Sequence, residues 1–176
     1  MNKQDAVANT DTGSSILEEK IALYARVPHY VLITGERGTG KTTIARKLHE
    51  QSPRFKREFV SVNCASFTAE LLESELFGYE KGAFTGANAA KSGLFETADG
   101  GTLFLDEVGE LSFSLQAKLL KAVEEKRLRR VGGNREREID VRIIAATSKN
   151  LHAMVFEGGF RADLFDRLNI LQLETI

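Results

Sequence analysis

The chain has no tryptophan, one cysteine and two prolines in 176 residues, and what it lacks narrows what it does. The lone thiol, Cys64, rules out an internal disulfide framework and fits a reducing compartment. Three histidines and one cysteine show no metal-ligand spacing, so no zinc-type site is expected. No apolar run approaches the roughly 20 residues that cross a bilayer. The polar start MNKQDAVANTDTGSS also lacks the apolar stretch of a secretory signal. The expected setting is the cytoplasm, with no membrane contact. A net charge of -1 supplies no global positive field for nucleic acid.

What is present is an ordinary soluble mixture, 42% apolar and 28% charged, in a chain long enough for one domain with a sizeable core. Residues 1–15 are rich in Asn, Asp, Thr, Ser and Gly and read as a flexible lead-in; the folded core is expected over 16–176. Ile16, Leu17, Ile21 and Tyr24 recur at helical spacing. Tyr30–Ile33 is a short continuous apolar run, the pattern of a strand buried on both faces. A helix over 41–50, a strand over 59–62 and a helix over 69–77 follow, the last with Leu71, Leu72 and Leu76 inward.

From Phe77 to Lys91 neither period holds, and the glycines mark a loop or hairpin insertion. Thr102–Leu105 is a third strand, and Leu115, Leu119, Ala122 and Val123 line one face of a helix. A charged turn surrounds Gly132-Gly133-Asn134 within 128–139. Val141–Ala146 is a fourth strand and Ile170–Leu173 a fifth. Strands alternating with helices imply an α/β fold with a largely parallel, five-stranded sheet flanked by helices.

Two motifs carry chemistry. Gly35-Glu36-Arg37-Gly38-Thr39-Gly40-Lys41-Thr42 fits the phosphate-loop pattern G-x-x-x-x-G-K-S/T without a mismatch. Its glycines let backbone N–H groups turn toward phosphate oxygens, and the helix that follows offers its positive end. Lys41 would reach the β- and γ-phosphates of ATP, and the Thr42 hydroxyl would ligate Mg2+. Leu103-Phe104-Leu105 then ends in two acids, Asp106 and Glu107. In a parallel sheet the carboxyl ends of strands face the ligand. Asp106 would therefore hold magnesium and Glu107 would orient the attacking water. Alone, two acids at a strand end are as readily a solvated terminus; their meaning comes from the pairing with Gly35–Thr42.

Gly82-Ala83-Phe84-Thr85-Gly86-Ala87 reproduces the GAFTGA loop of the sigma-54-dependent transcription activators, the bacterial enhancer-binding proteins of the AAA+ class. Glu75–Gly78, Gly93–Glu96, Gly100–Glu107, Val141–Thr147 and Phe160–Asn169 fit the same family. The resemblance runs from about Tyr30 to the end of the chain. It implies a P-loop NTPase core of the AAA+ α/β type, working as an ATPase in a homo-oligomeric ring, usually a hexamer, that remodels sigma-54 of RNA polymerase. It also implies that residues 82–87 touch sigma-54, with Phe84 and Thr85 making the main contact. The turn near 131–138 resembles a second surface loop moving with the first.

The resemblance further implies that Asn63 is a switch holding Glu107, and that Thr147 and Ser148 stand at a nucleotide-sensing position. Arg161 and Arg167 resemble arginine fingers acting on a neighbour's ATP. Spacing by itself favours the plainer reading, in which Arg161 or Arg167 forms a helix-surface ion pair with Asp163. Departures are Thr42 in place of Glu, Ser148 in place of Asn or His, and Asp166 in place of an aromatic residue. The family continues into a helical lid where this chain reaches Ile176, so a core without lid or DNA-binding domain is expected. The competing expectation is a nucleotide-dependent sigma-54 binding module with little turnover. Lys126, Arg127, Arg129, Arg130, Arg135 and Arg137 form a local basic run, interrupted by acids and read as a solvated face or subunit contact. Cys64 reads as a small buried residue rather than a nucleophile.

Overall fold

The computed structural model describes residues 15–175, so all but the last residue of the expected lead-in lies outside the described residues. Helix α1 covers residues 15–25. Then come β1 (Val31–Thr34), α2 (Lys41–Glu50), β2 (Phe59–Asn63), α3 (Ala69–Phe77), β3 (Gly78–Tyr79) and β4 (Lys91–Ser92). Helix α4 (Leu94–Thr97), β5 (Thr102–Asp106), α5 (Phe113–Glu125), β6 (Arg127–Arg129) and β7 (Glu136–Glu138) follow. The described chain closes with β8 (Arg142–Thr147), α6 (Leu151–Phe156), α7 (Ala162–Leu168) and β9 (Leu171–Glu174).

Five strands form one sheet in the order β2-β5-β8-β1-β9, every pair parallel. The near-continuous apolar runs follow from helices covering both faces. Successive side chains of a strand point to opposite sides. Leu103 and Leu105 accordingly enter a core with Leu76, Phe95, Leu119 and Leu164, beneath α3, α4, α5 and α7. Phe104 between them enters the other core, with Ile21, Ala25, Ile44 and Leu48 from α1 and α2. Arg142 is a buried exception on β8, only 2% exposed. Its guanidinium donates to the carbonyls of Tyr24 (2.6 Å), Ala25 (3.1 Å) and His29 (3.3 Å), closing the C-terminal end of α1. Burial, helped by Arg54, pushes its pKa down to about 10.

Three expectations need correction. Leu71 is 56% exposed, while Leu72 and Leu76 are buried. The latter two lie four apart on one face of α3, and Leu71 sits a step of the helix away from it. The fifth strand begins at Leu171, and Ile170 is 45% exposed. The charged turn over 128–139 is a two-stranded hairpin, β6 with β7.

The insertion after Phe77 is a hairpin whose stem is β3 paired with β4. Gly78 sits at φ 72, and a Cβ there would come within 2.5 Å of the Lys91 carbonyl oxygen, so only glycine fits this stem. Val131 bonds to both neighbours of Tyr79: its N–H donates to Gly78 (2.9 Å), and its carbonyl accepts from Glu80 (3.0 Å). The two hairpins therefore share backbone bonds.

Candidate functional site

The sheet register brings several strand ends level. Thr34 lies beside Thr147, and Asn63 beside Asp106. Just beyond these ends a cleft of about 470 Å³ is lined by Arg37, Gly38, Gly40, Lys41, Thr42, Asn63, Asp106 and Glu107, with Ala65 and Ser66 at its edge. Residues as far apart in sequence as Arg37 and Glu107 thus line one cleft.

The phosphate loop is shaped by its glycines. Gly38 and Gly40 take φ 82 and 85, a region open to glycine at little cost. Gly35 is excluded from carrying a side chain for another reason: a Cβ would stand 1.8 Å from the Thr175 hydroxyl oxygen. Thr175 Oγ1 lies 2.5 Å from Thr39 Oγ1, and Thr39 donates to the Glu36 carbonyl at 2.8 Å. The loop is therefore braced by the residue that follows β9. Lys41 is 6% exposed, and its Nζ donates to the carbonyls of Gly35 (2.9 Å) and Glu36 (2.7 Å). Helix α2 starts at this lysine with Gly40 as N-cap and no side chain bonded to its first N–H groups. Those donors and the positive helix end face the cleft, the arrangement that holds phosphate oxygens.

Asp106 and Glu107 close the opposite wall. Burial, then the neighbouring Glu107 carboxylate, pushes the Asp106 carboxyl above its ordinary value, against the N–H of Glu107 and the charge of Lys41. Two adjacent acids with an exposed Thr42 hydroxyl across the cleft make a partial cation site. Among the described residues no cluster of three or more His, Cys, Asp or Glu is assembled. The donor set fits a magnesium ion that keeps several waters and shares its ligands with phosphate.

Glu107 has partners that spacing did not reveal. One carboxylate oxygen accepts from both the N–H (3.1 Å) and the hydroxyl (2.9 Å) of Ser148. The other lies 3.9 Å from Arg37 Nε, and Arg37 is also 3.9 Å from Glu110. Asn63 does not hold Glu107 here. Its Oδ1 accepts from the N–H of Ala65 at 2.9 Å and caps the turn after β2. Thr147 is fully buried, its hydroxyl oxygen accepting from the N–H of Lys149 at 3.0 Å, so it turns away from the cleft.

Arg161 and Arg167 lie outside the cleft of their own chain. Arg161, the N-cap of α7, makes a two-bond pair with Asp163 (3.0 and 2.9 Å) and lies over the Phe113 ring. Arg167 pairs with Glu124 of α5 at 3.0 Å, and not with Asp163. The expected surface pair with Asp163 thus forms for Arg161 and not for Arg167.

Residues 82–87 form a tight turn at the tip of the first hairpin. Gly82 and Gly86 take φ 82 and 96, and the N–H of Gly82 donates to the Ala87 carbonyl at 2.9 Å. Phe84 is 47% exposed, resting edge-on against Tyr79 with centroids 4.9 Å apart. Thr85 is exposed, whereas Ala87 is buried. The basic run of the second hairpin is matched by acids: Arg127 with Glu138, Arg129 with Glu136, Arg130 with Glu96 and Arg137 with Glu80. Cys64 is buried, and burial pushes its thiol up to about 12.

Comparison with known proteins gives the family and the fold. The family described as Sigma-54 interaction domain matches residues 7–174. The Nif-specific regulatory protein of Sinorhizobium fredii is 54% identical over 155 residues, 88% of this chain and 26% of that protein. The regulatory protein AtoC of Escherichia coli is 57% identical over 143 residues, 81% of this chain and 31% of that protein. The chain thus spans about a quarter to a third of these relatives. The crystal structure of NtrX from Brucella abortus in complex with ATP superposes with a TM-score of 0.86 at 39% identity, over 93% of this chain and 35% of that one. A P-loop NTPase domain from E. coli shares the fold at 18% identity, with a TM-score of 0.61. On the match over residues 7–174, the chain belongs to the Sigma-54 interaction domain family of sigma-54-dependent activators.

Proposed function

We propose that this chain binds ATP with magnesium in the cleft between Lys41 and Glu107, hydrolyses it as part of a homo-oligomeric ring, and uses the cycle to work on sigma-54 through residues 82–87. The observation that carries the reading is the convergence of Lys41, Thr42, Asp106 and Glu107 on one cleft, from two segments far apart in sequence. Lys41 would exchange its bonds to Gly35 and Glu36 for phosphate oxygens, with the α2 N-terminus and the loop N–H groups holding the rest. Magnesium held by Thr42 and Asp106 would supply charge neutralisation along the β- and γ-phosphates. Glu107 would accept a hydrogen bond from the attacking water and take up its proton.

A second reading, a nucleotide-dependent binding module with little turnover, is favoured by one observation. Arg161 and Arg167 are both tied to acids of their own chain, pairs that would have to break before either could reach a neighbour's cleft. A finger cation is worth roughly 10³–10⁵ in rate, so a chain unable to recruit one turns over slowly. Activity measured against protein concentration separates the readings. The ATPase reading expects the rate per chain to climb as chains associate and donate an arginine to a neighbour's cleft. A flat, negligible rate at every concentration leaves the binding module. For the partner, capture of purified sigma-54 in the presence of a transition-state analogue of ATP should be lost in Thr85→Ala; undiminished capture removes the loop from the contact.

A further inference from the structure

Glu107 leaves β5 at φ 54, in the left-handed region that non-glycine residues rarely enter. That backbone turns residues 107–110 back over the end of β8. A Cβ on Gly109 would stand 3.0 Å from Thr147 Oγ1, which measures how closely the two segments pack. Here Ser148 presents two donors to one oxygen of Glu107, Oε2. Lys149 fastens the same segment by pairing with Glu110 at 2.8 Å. The remaining oxygen, Oε1, faces the phosphate loop, with Arg37 the nearest cation. The Glu107 side chain is 7% exposed, and any rotation that carried Oε2 away would break both bonds together. Asn63 is not bonded to Glu107; its Oδ1 accepts from the N–H of Ala65.

We infer that Ser148 is the positioning residue for Glu107: by fixing Oε2 it presents Oε1 to the cleft, where a water attacking a phosphoryl group would sit. The inference rests on the reading of Glu107 as the water-orienting carboxylate. It gives the Ser148 hydroxyl a task on the protein's own carboxylate and not on the nucleotide. Glutamate has three side-chain torsions, and a base misplaced by about 1 Å can cost 10²-fold in rate. A carboxylate held by a backbone and a hydroxyl donor on one oxygen has little of that freedom left, and bonds to an ionised acceptor are the stronger kind.

The test compares steady-state ATP hydrolysis by the intact chain and by Ser148→Ala, Ser148→Cys and Ser148→Thr. Protein concentrations are those at which the rate per chain no longer rises, and a fluorescent ATP analogue reports affinity separately. Ser148→Ala and Ser148→Cys are each expected to lower kcat about tenfold, while KM and analogue affinity stay within about twofold. Ser148→Thr, which keeps the hydroxyl, should stay within about threefold of the parent. Retained analogue binding shows that a slow variant is folded, and the cysteine variant stands in if the alanine one is not. A kcat unchanged in both hydroxyl-free variants overturns the positioning role while leaving the ATPase reading in place. So does a raised KM at constant kcat, which assigns the hydroxyl to nucleotide, or a raised kcat, which makes the contact a restraint. A parent chain with no turnover at any concentration removes the enzyme reading itself, and the inference with it.

Discussion

Glu96 of α4 and Arg130, next to β6, meet through two bonds of 2.8 and 2.9 Å that tie the base of the first hairpin to the second. Arg137 and Glu80 extend the cluster, with Arg137 3.8 Å from Glu96 and 3.3 Å from Glu80. The Arg130 bond, above all, holds the Glu96 carboxyl below its ordinary value against the cost of burial. A depressed carboxyl contributes stability above its unfolded pKa and loses it as pH falls through the folded one. Stability should therefore decline as pH drops below about 4.3, the ordinary glutamate value. Arg130→Ala should flatten that part of the curve and cost roughly 1 kcal/mol at neutral pH, a figure reduced for solvent screening. Urea unfolding from pH 7 to pH 3 measures both.

Lys41 should dominate nucleotide affinity. Lys41→Ala removes the one lysine whose ammonium lies inside the phosphate loop, and ATP binding is expected to weaken by about 100-fold or more. In the parent, ATP at about 100 times its Kd should stabilise the fold by roughly 2.7 kcal/mol, raising Tm. A thermal shift that persists in Lys41→Ala would place the nucleotide elsewhere.

Arg142 is predicted to be structural. Its guanidinium caps the Tyr24 and Ala25 carbonyls at the end of α1 and the His29 carbonyl in the loop beyond, and Arg142→Ala leaves them without their partner. The expected cost is about 2–4 kcal/mol, with ATP affinity per folded chain unchanged. Denaturant unfolding read alongside nucleotide titration checks both halves.

Cys64 should be silent until the chain unfolds. Burial raises its thiol to about 12, so almost no thiolate exists near neutrality. A thiol reagent at pH 7.5 should label the native chain only through global opening, and urea should make labelling fast. Rapid labelling without denaturant would mean that the turn after β2 opens by itself.

Phe104→Ala tests the second core. The ring is fully buried between α1, α2 and the sheet, stacked near Phe59 at 6.2 Å, and its removal should cost about 3–5 kcal/mol. The urea midpoint reports this loss.

Much of this fold could be read directly. Tyr30–Ile33 and Thr102–Leu105 announce doubly covered strands, because burial on both faces leaves no polar alternation to confuse the period. Gly35–Thr42 is equally plain, being a local motif whose mechanism needs fixed spacing. Leu71 was misplaced because three leucines within six residues exceed the width of the face that α3 buries. Helices α6 and α7 span six and seven residues, too short for a period to show. The contacts that shape the site were out of reach for another reason. Ser148 and Glu107 are 41 residues apart and Thr39 and Thr175 are 136 apart, so only the folded sheet brings them together. Arg161 illustrates a middle case: its pairing with Asp163 was foreseeable from their spacing, while its packing over the Phe113 ring was not.

The placing of β1 between β8 and β9 has a consequence for biosynthesis. The strand that launches the phosphate loop is made well before its neighbours, since the partners of Val31 are Ile144 and Leu171, 113 and 140 residues later in the chain. The β8 edge of Val31–Thr34 waits until residue 147 has emerged and the β9 edge until residue 174, and before then the loop has no Thr175 to lean on. Pairings this distant in sequence are slow to form and leave apolar strand edges open meanwhile. The braced form of the loop is thus acquired only after Thr175 has been made, and until then β1 keeps an open apolar edge that needs shelter from neighbouring nascent chains.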